Sequence, residues 1–437
     1  MSFEVLRILQ IGDIHQPEWP LEREGRDVKT ALQSQLFADG LGWYRIERIL
    51  AALLHHADSA DAIVFVGDYT TKGDALGLET CIAHFAALLR PELGSDRDIP
   101  IIAVPGNHDV NKDFATDVGI SSKFRTLQGL VRYRKWQALP VETLISTDLE
   151  RNGMAAGRIF SVNTCMGSWE LAAFGESTLQ TLTLLRQMTE TGRVPKVSNN
   201  SFVNETGDVE NLQYDNYDAP FVLQNVLSAM SQALSQAPPS CALIAVGHHN
   251  LLQQEVPRYA PYAELLNSGA LRKTLQACDR STIYLHGHIH DGPIEIISDA
   301  ENPNRQIVSV SAPALTHGFN LLEVHVTEDG PPLGVNVRRF RLKPNGNVME
   351  ELPVTIPLFS LTHKQRVLKR EAEVIAVVED EQRIRFVKLI DLPKIRALGL
   401  PEKDLGALVI SLYWRKLLHI DYISSPSSEW MLKAMEA

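Results

Sequence analysis

Five short clusters of polar side chains restrict what this chain can fold into more than any other feature of its sequence. Each cluster begins with a glycine and lies at or just beyond the end of an apolar, strand-like run. The five clusters are Gly12-Asp13-Ile14-His15, Gly67-Asp68, Gly106-Asn107-His108-Asp109, Gly247-His248-His249 and Gly287-His288-Ile289-His290. Ligands gather at the carboxyl ends of strands in βα units. The pattern therefore predicts strands whose carboxyl ends carry a ligand site.

The spacing within the clusters favours metal ligands. Successive side chains of an extended segment point to opposite faces, so Asp13 and His15 share a face, as do His288 and His290. Taken singly, an Asp-x-His can cap a turn and an Asn-His-Asp can form an Asx-turn. The repetition of such clusters after successive apolar runs makes coincidence a poor explanation.

Composition and charge are those of a folded protein, and they restrict the partners. The 437 residues are 44% apolar and 22% charged, and the length exceeds that of one average domain. The formal net charge of −11 argues against a surface built throughout to hold nucleic acid, which needs Lys and Arg to neutralise phosphates. The four cysteines are far apart, and no apolar run approaches the roughly 18 residues of a membrane span. We therefore expect buried thiols, no membrane and a cytoplasmic location.

The character of the sequence changes near residue 361. Residues 361–437 contain 13 Lys and Arg against 11 Asp and Glu, which makes this segment about +2 and the remainder about −13. We expect a catalytic domain over residues 1–360, with an insertion at about 166–240, and a small helical, winged-helix-like module over residues 361–437. We expect the module to bind a protein partner or another protomer, and reading nucleic acid is the alternative.

Asp and His together suit the hydrolysis of phosphate esters, which needs charge neutralisation and an activated water. Two divalent ions can supply both, and carboxylates with neutral imidazoles bind manganese, iron or zinc. Two such ions with two aspartates and a hydroxide sum to about +1, so the site attracts phosphate although the chain is acidic. We expect two divalent ions as cofactors, manganese first and iron or zinc as alternatives.

The order Asp-x-His, Gly-Asp, Gly-Asn-His-Asp, Gly-His and Gly-His-x-His resembles that of the calcineurin-like metallophosphoesterase superfamily, over about residues 6–342. The resemblance implies an α+β fold, a four-layer αββα sandwich with the metals at the sheet edge. It also implies two sets of ligands that share one bridging carboxylate. The first set is Asp13, His15, Asp68 and His290, and the second is Asp68, Asn107, His248 and His288.

The resemblance also implies roles for the other polar residues of the clusters. A hydroxide that bridges the metals attacks phosphorus in line, and His108 protonates or stabilises the leaving oxygen. Asp109 is expected to orient His108. His249 and His286 flank the ligands, and we expect each to donate to an oxygen behind them, with contact to substrate as the alternative.

A finer resemblance predicts the substrate class. Gly67-Asp68-Tyr69-Thr70-Thr71-Lys72-Gly73 is similar to the Gly-Asp-x-Thr-x-x-Gly form of the cyclic-nucleotide phosphodiesterase-like branch. We therefore expect a phosphodiesterase acting on a phosphate ester such as a nucleotide. A nuclease of the repair-complex type, disfavoured by the net charge, and a phosphomonoesterase are the enzymatic alternatives. A scaffold that acts through its C-terminal module is the non-enzymatic alternative.

Overall fold

The computed structural model describes most of the chain in segments. These segments are residues 3–15, 41–71, 73–92, 99–111, 121–151, 153–168, 220–252, 265–290, 292–299, 302, 305–327, 331–359, 369–423 and 425–435. The strands are β1 (Phe3–Ile11), β2 (Ala62–Phe65), β3 (Ile101–Ala103), β4 (Ile145–Arg151), β5 (Met154–Ser161), β6 (Ala242–Val246), β7 (Thr282–His286), β8 (Ile294–Ile297), β9 (Ile307–Ser311), β10 (Gly318–Thr327), β11 (Gly334–Leu342), β12 (Val348–Glu350), β13 (Val354–Pro357), β14 (Arg383–Arg385), β15 (Leu418–Asp421) and β16 (Met431–Ala434).

The helices connect these strands and cover the outer faces of the sheets. The α-helices are α1 (Leu41–Ala57), α2 (Ala75–Glu92), α3 (Arg125–Tyr133), α4 (Gln224–Gln236), α5 (Ser268–Leu275), α6 (Lys369–Glu381), α7 (Phe386–Asp391), α8 (Pro393–Arg396) and α9 (Glu402–Trp414). Within the described segments, no helix combines the length and the apolar character that a membrane span requires.

The first sheet contains the strands that precede three of the polar clusters. Its order is β12-β11-β10-β1-β2-β3, and β13 also pairs with β11. β1, β2 and β3 are parallel, so their carboxyl ends lie at the same edge. Side chains on the two faces of β1 pack into two different cores. Leu6 and Ile8 pack between the sheets, whereas Leu9 and Ile11 pack beneath α1 and α2.

The second sheet carries the two histidine clusters. Its order is β4-β5-β6-β7-β9-β8, and the inner strands β5, β6, β7 and β9 are parallel. β6 and β7 are buried on both faces, which explains their continuous apolar sequence. The inner face packs on the first sheet, and α4 and α5 cover the outer face. The four-layer αββα sandwich predicted from the sequence is confirmed.

The expected insertion at residues 166–240 is described only in part. Residues 169–219 lie outside the described segments. At the end of the range, α4 buries Val226, Leu227, Met230 and Leu234 against the second sheet. This part of the range therefore belongs to the outer helical layer of the sandwich.

The C-terminal helices and strands have a core of their own. α6, α7, α8 and α9 pack on an antiparallel sheet of order β14-β16-β15. Trp414, at the end of α9, is fully buried, and its ring centroid lies 5.0 Å from that of His325 on β10. A Cβ added to Gly334 on β11 would come within 2.2 Å of the Trp414 ring. The small, mainly helical C-terminal domain is thus present, and it packs closely on the first sheet.

Candidate metal centre

The five polar clusters follow β1, β2, β3, β6 and β7 at their carboxyl ends. Hydrogen bonds join the clusters to one another. Asp13 N donates to Gly67 O at 3.2 Å, Gly287 N donates to His248 O at 3.0 Å, and His288 N donates to Asp13 Oδ1 at 2.9 Å. The last bond joins a cluster of the second sheet to one of the first across 275 positions of the chain, so the fold brings the clusters of both sheets to a single site.

Five polar residues of this site adopt a left-handed backbone conformation. They are Asp13 (φ 46°), His15 (φ 47°), Asp68 (φ 56°), His288 (φ 70°) and His290 (φ 58°). Asp and His tolerate this region better than most residues, yet it still costs about 1–2 kcal/mol for each. Conformations of this kind persist where the surrounding structure holds them, and they concentrate at functional sites.

Two of the cluster glycines are required because the turns approach closely. A Cβ added to Gly106 would lie 2.1 Å from Asp68 Oδ1. A Cβ added to Gly67, whose φ is 96°, would lie 2.7 Å from His248 Nδ1. These glycines therefore allow the second, third and fourth clusters to meet.

The first group of ligand-type side chains is Asp13, His15, Asp68 and His290, whose ligand atoms all lie within 4.8 Å of one another. His15 Nε2 lies 3.0 Å from His290 Nε2 and 3.8 Å from Asp68 Oδ2. His290 Nε2 lies 3.7 Å from Asp13 Oδ1. The side chain of His290 is 45% exposed, so this group is open to solvent on one side.

The second group of ligand-type side chains is buried. It contains His248, His249 and His288, whose ring nitrogens also lie within 4.8 Å of one another. His248 Nε2 lies 2.9 Å from Asn107 Oδ1 and 3.3 Å from Asp68 Oδ2, and its Nδ1 donates to Val66 O at 2.7 Å. Asp68 Oδ2 therefore lies between the two groups.

Two buried carboxylate oxygens indicate whether these groups of side chains can hold metal ions. Within the described segments, Asp13 Oδ2 and Asp68 Oδ2 are buried and accept no hydrogen bond of acceptable geometry. A buried acceptor without a partner is costly unless a cation satisfies it. Carboxylates, imidazoles and an amide oxygen are ligands for borderline divalent metals. The two groups therefore fit a dinuclear metal centre.

The histidines of the centre differ in pKa because their charged neighbours affect them differently. Burial lowers the pKa of His15 to about 3. Burial alone would also lower the pKa of His248, but Asp68 and Asp13 outweigh it and raise this pKa to about 10. Burial raises the pKa of Asp13 to about 8. A cation that binds here must displace protons from His248 and Asp13, so its binding strengthens as pH rises.

His108 lies beside the first group, and its ring forms a T-shaped contact with that of His15 at a centroid distance of 5.1 Å. Its backbone N donates to Asp68 Oδ1 at 2.9 Å. Its Nδ1 donates to Thr71 O at 2.8 Å, which leaves Nε2 as the nitrogen for exchange of a proton with a ligand. The ring of His108 is thus oriented by a backbone carbonyl.

Asp109 does not orient His108, which corrects the sequence-based expectation. Its Oδ1 accepts hydrogen bonds from the backbone N of Tyr69 at 2.7 Å and of Thr70 at 3.1 Å, and its Oδ2 accepts from Gly106 N at 2.8 Å. Asp109 therefore joins the Gly-Asp turn to the Gly-Asn-His-Asp turn. Its buried carboxyl has a pKa raised to about 8, because burial disfavours its charge.

Thr164 is a residue of the site that the sequence reasoning missed. Its Oγ1 accepts hydrogen bonds from the backbone N of His248 at 3.1 Å and of His249 at 3.2 Å, which uses both lone pairs. The hydroxyl proton is then donated to His249 Nδ1 at 2.9 Å. Neutral His249 consequently carries its proton on Nε2, which makes that nitrogen a hydrogen-bond donor. The position of Thr164 in the sequence could have indicated it, because Thr164 lies just beyond the end of β5, as the polar clusters lie just beyond the ends of their strands.

His286 lies outside both ligand groups. Its Nε2 is 3.0 Å from Ser309 Oγ, its Nδ1 donates to Gly287 O at 3.1 Å, and its ring stacks on Tyr284. Burial lowers the pKa of His286 to about 4, so the ring is neutral. One ring nitrogen thus contacts Ser309 on β9 and the other contacts Gly287 in the turn after β7, which makes His286 a support for that turn.

Comparison with known proteins identifies the family. A family model described as Calcineurin-like phosphoesterase matches residues 6–292. Because this match covers more than half of the chain, the protein belongs to the calcineurin-like phosphoesterase family. Members of the family bind a dinuclear metal centre, and the Asp and His groups described above fit one. The chain is therefore a phosphoester hydrolase of the dimetal type.

Solved structures with a similar fold are distant in sequence. A dimetal phosphatase from Danio rerio is 13% identical, with 81% of this chain and 99% of that chain covered and a TM-score of 0.41. A purple acid phosphatase from yellow lupin (Lupinus luteus) is also 13% identical, with coverages of 81% and 54% and a TM-score of 0.43. The phosphopantetheinyl hydrolase of Mycobacterium tuberculosis is 12% identical, with coverages of 70% and 89% and a TM-score of 0.34. No curated protein matches the sequence.

Proposed function

We propose that this protein is a phosphodiesterase that works with two divalent ions, manganese first among them. The observation that carries the proposal is the position of Asp68 Oδ2, which is buried without a hydrogen bond and lies 3.8 Å from His15 Nε2 and 3.3 Å from His248 Nε2. An acceptor placed between two groups of ligands is suited to bridge two cations.

The ligand assignment keeps the first group, and for the second ion it joins Asp68 and Asn107 to His248 and His288, which leaves His249 for the substrate. We assign Asp13, His15, Asp68 and His290 to the first ion, and Asp68, Asn107, His248 and His288 to the second. When bound, the ions supply charge neutralisation for the phosphate and an activated water at neutral pH. The left-handed turns hold the ligands for both ions before either binds, which reduces the cost of assembling the centre.

His108 and His249 act on the substrate in this proposal. Thr71 O holds the proton on His108 Nδ1, so a protonated ring presents its second proton at Nε2 to the leaving oxygen. His249 presents its Nε2 proton to a phosphate oxygen, because Thr164 occupies Nδ1. Both rings are held by hydrogen bonds at the opposite nitrogen, and this fixes the direction of each proton.

The preference for a diester rests on the Gly-Asp-x-Thr-x-x-Gly loop. Thr70 Oγ1 accepts a hydrogen bond from Gly73 N at 2.8 Å and donates to His108 O at 3.2 Å. The threonine and the second glycine of the motif thus shape the turn on which His108 depends. This agrees with the similarity of the loop to the cyclic-nucleotide phosphodiesterase-like branch, and it supports a nucleotide diester as substrate.

Residues 361–437 form a separate docking domain in this proposal. The separate apolar core of the described residues in this range supports such a division. We propose a protein partner or a second protomer as the ligand of the exposed side of this domain.

The test compares a bis-aryl phosphodiester with an aryl phosphomonoester. The manganese-reconstituted protein and its Asp68→Ala variant are assayed on both esters. The proposal expects a higher kcat/KM for the diester and loss of both activities in the variant. A higher kcat/KM for the monoester would assign the protein to the phosphatases. Wild-type protein that binds two ions and cleaves neither aryl ester would contradict the enzymatic proposal.

A further inference from the structure

A row of polar side chains interrupts the apolar interior between the two sheets. Gln10 on β1 and Asn320 on β10 are paired in register, and their exposures are 0% and 1%. The other side chains of β1 on this face, Leu6 and Ile8, belong to the aliphatic core between the sheets. Burying two amides in such a core is costly unless all their hydrogen bonds are made.

Hydrogen bonds satisfy both buried amides. Gln10 Nε2 donates to His286 O at 3.1 Å and to Val310 O at 2.9 Å. Asn320 Nδ2 donates to Gln10 Oε1 and to Ser311 O, both at 2.9 Å. The Oδ1 atom of Asn320 accepts from Arg341 Nη2 at 2.9 Å. Since every amide N–H has an acceptor, neither amide can turn over without losing hydrogen bonds.

These hydrogen bonds join the two segments that carry most of the proposed ligands. Gln10 precedes Asp13 by three residues on the segment that follows β1, and His286 precedes His288 by two on the segment that follows β7. β1 belongs to the first sheet and β7 to the second. Gln10 therefore connects the sheets directly below the junction at which Asp13 Oδ1 accepts from His288 N.

Arg341 extends the row to the end of the second ligand segment. Its Nη1 donates to Phe319 O at 2.9 Å and to Phe340 O at 3.1 Å, which holds the guanidinium on β10 and β11. A Cβ added to Gly292 would lie 2.6 Å from Arg341 Nη2. The backbone after His290 consequently packs directly on the guanidinium.

We propose that Gln10, Asn320 and Arg341 are positioning residues that set the separation of the ligand segments 12–15 and 287–292. The three residues act through hydrogen bonds to backbone carbonyls and through packing. The inference rests on the proposed two-ion function and adds residues to it that lie outside the five polar clusters. Partners behind metal ligands contribute about ten- to hundredfold to metal affinity.

The decisive experiment compares two isosteric substitutions of buried glutamines. Gln10→Glu removes an amide that donates to two backbone carbonyls below the centre. Gln306→Glu is the matched control, because Gln306 is also buried and its Nε2 donates to Pro357 O at the opposite end of β9. Both variants and the wild type are titrated with Mn²⁺ by calorimetry, and the loaded proteins are examined by electron paramagnetic resonance for coupling between the ions.

We expect Gln10→Glu to weaken binding of at least one Mn²⁺ by about ten- to hundredfold and to alter the coupling signal. Gln306→Glu is expected to lower thermal stability while leaving both affinities and the signal at wild-type values. The coupling signal depends on the distance between the ions, so a general loss of stability does not reproduce it.

Arg341→Lys provides a second variant at the solvent-facing end of the row, where a substitution disturbs the core less. It keeps the charge and loses the hydrogen bond to Asn320, so we expect a smaller loss of Mn²⁺ affinity than for Gln10→Glu. If Gln10→Glu does not fold, Arg341→Lys decides the question. Unchanged affinity and signal in the variants, or an equal loss in Gln306→Glu, would overturn the positioning role. A wild type that binds no pair of ions would instead overturn the proposed function.

Discussion

His248 and His325 are buried histidines in two regions of this protein, and their surroundings shift their pKa values in opposite directions. At the candidate metal centre, His248 lies 3.3 Å from Asp68, and its pKa is raised to about 10 although burial alone would lower it. At the contact with the C-terminal domain, His325 packs on Trp414, and burial lowers its pKa to about 4, with only a partial offset from Glu323. Burial by itself removes charge from imidazole, whereas a carboxylate at close range keeps the proton on it, so a cation that binds there must displace that proton.

The backbone differs between the two regions as well. His325 lies within β10 near its carboxyl end, opposite Val5 on one side and Gly334 on the other, in regular antiparallel pairing. The histidines and aspartates of the centre lie past the ends of their strands, and five of these residues are left-handed. Left-handed backbone is thus concentrated where the ligand-type side chains converge, and His325 keeps ordinary strand geometry.

The largest effect is expected from removing the shared carboxylate. Asp68→Ala deletes the oxygen between the two groups, so we expect binding of both ions to fall by more than about a hundredfold and hydrolysis to be lost with it. Metal content after dialysis and turnover of the diester measure the two effects. If the variant retained two ions at wild-type affinity, the carboxylate of Asp68 would not be needed for metal binding. The contrast between His248 and His325 would then have no bearing on the metal centre.

His108→Ala tests a histidine that is near the ions and is not assigned as a ligand. We expect kcat to fall by about 10²–10⁴-fold because the leaving oxygen loses its proton donor. Metal content is expected to stay at the wild-type value, since the His108 ring is held by Thr71 O rather than by the ligand groups. A loss of metal equal to that of Asp68→Ala would show that His108 belongs with the ligands.

Thr164→Val probes the tautomer of His249 with little change in volume. Without the hydroxyl, Nδ1 of His249 and the backbone N of His248 lose their hydrogen bonds to Thr164, so the proton of His249 can move to Nδ1. We expect a ten- to hundredfold loss of kcat/KM, which is the usual loss when a residue that hydrogen-bonds to an active-site histidine is replaced. Thr164→Ser, which restores the hydroxyl, is the control and is expected to recover most of the activity.

Metal affinity is expected to depend on pH in the direction that the raised pKa values require. Protons on His248, with a pKa of about 10, and on Asp13, with a pKa of about 8, compete with the cation at neutral pH. Mn²⁺ affinity should therefore rise from pH 6 to pH 8 by about tenfold per pH unit for each proton displaced. Calorimetry in two buffers of different ionisation enthalpy measures the protons released, and zero release would contradict the coupling of His248 to Asp68.

The smallest effect is expected at His325 and concerns stability. Its folded pKa of about 4 lies below the usual value of 6.5, so the unfolded chain binds a proton that the folded chain does not. Stability from this group is complete above about pH 6.5 and is lost as pH falls towards 4, which amounts to about 2 kcal/mol between pH 7 and pH 5. His325→Phe should abolish this part of the loss in urea unfolding without changing metal content. A pH dependence that persists in His325→Phe would assign the loss to other groups.

The local sequence determined the family and the ligand-type side chains that the fold brings together. Strand-like runs ending in Gly-Asp, Gly-Asn-His-Asp or Gly-His-x-His can be recognised because strand periodicity and ligand spacing are properties of neighbouring residues. The four-layer sandwich and the meeting of Asp13, Asp68 and His248 agree with that prediction. The cysteines are likewise buried thiols, as expected.

Only the tertiary structure decided which partners hold these side chains. Thr71 rather than Asp109 orients His108, Thr164 sets the proton of His249, and Gln10 contacts His286 across 276 positions of the chain. No local pattern predicts such pairs, because they depend on the register of strands within each sheet and on how the two sheets face each other. The ligand-type side chains could therefore be recognised in the sequence, whereas the hydrogen bonds that orient them depend on the packing of the two sheets.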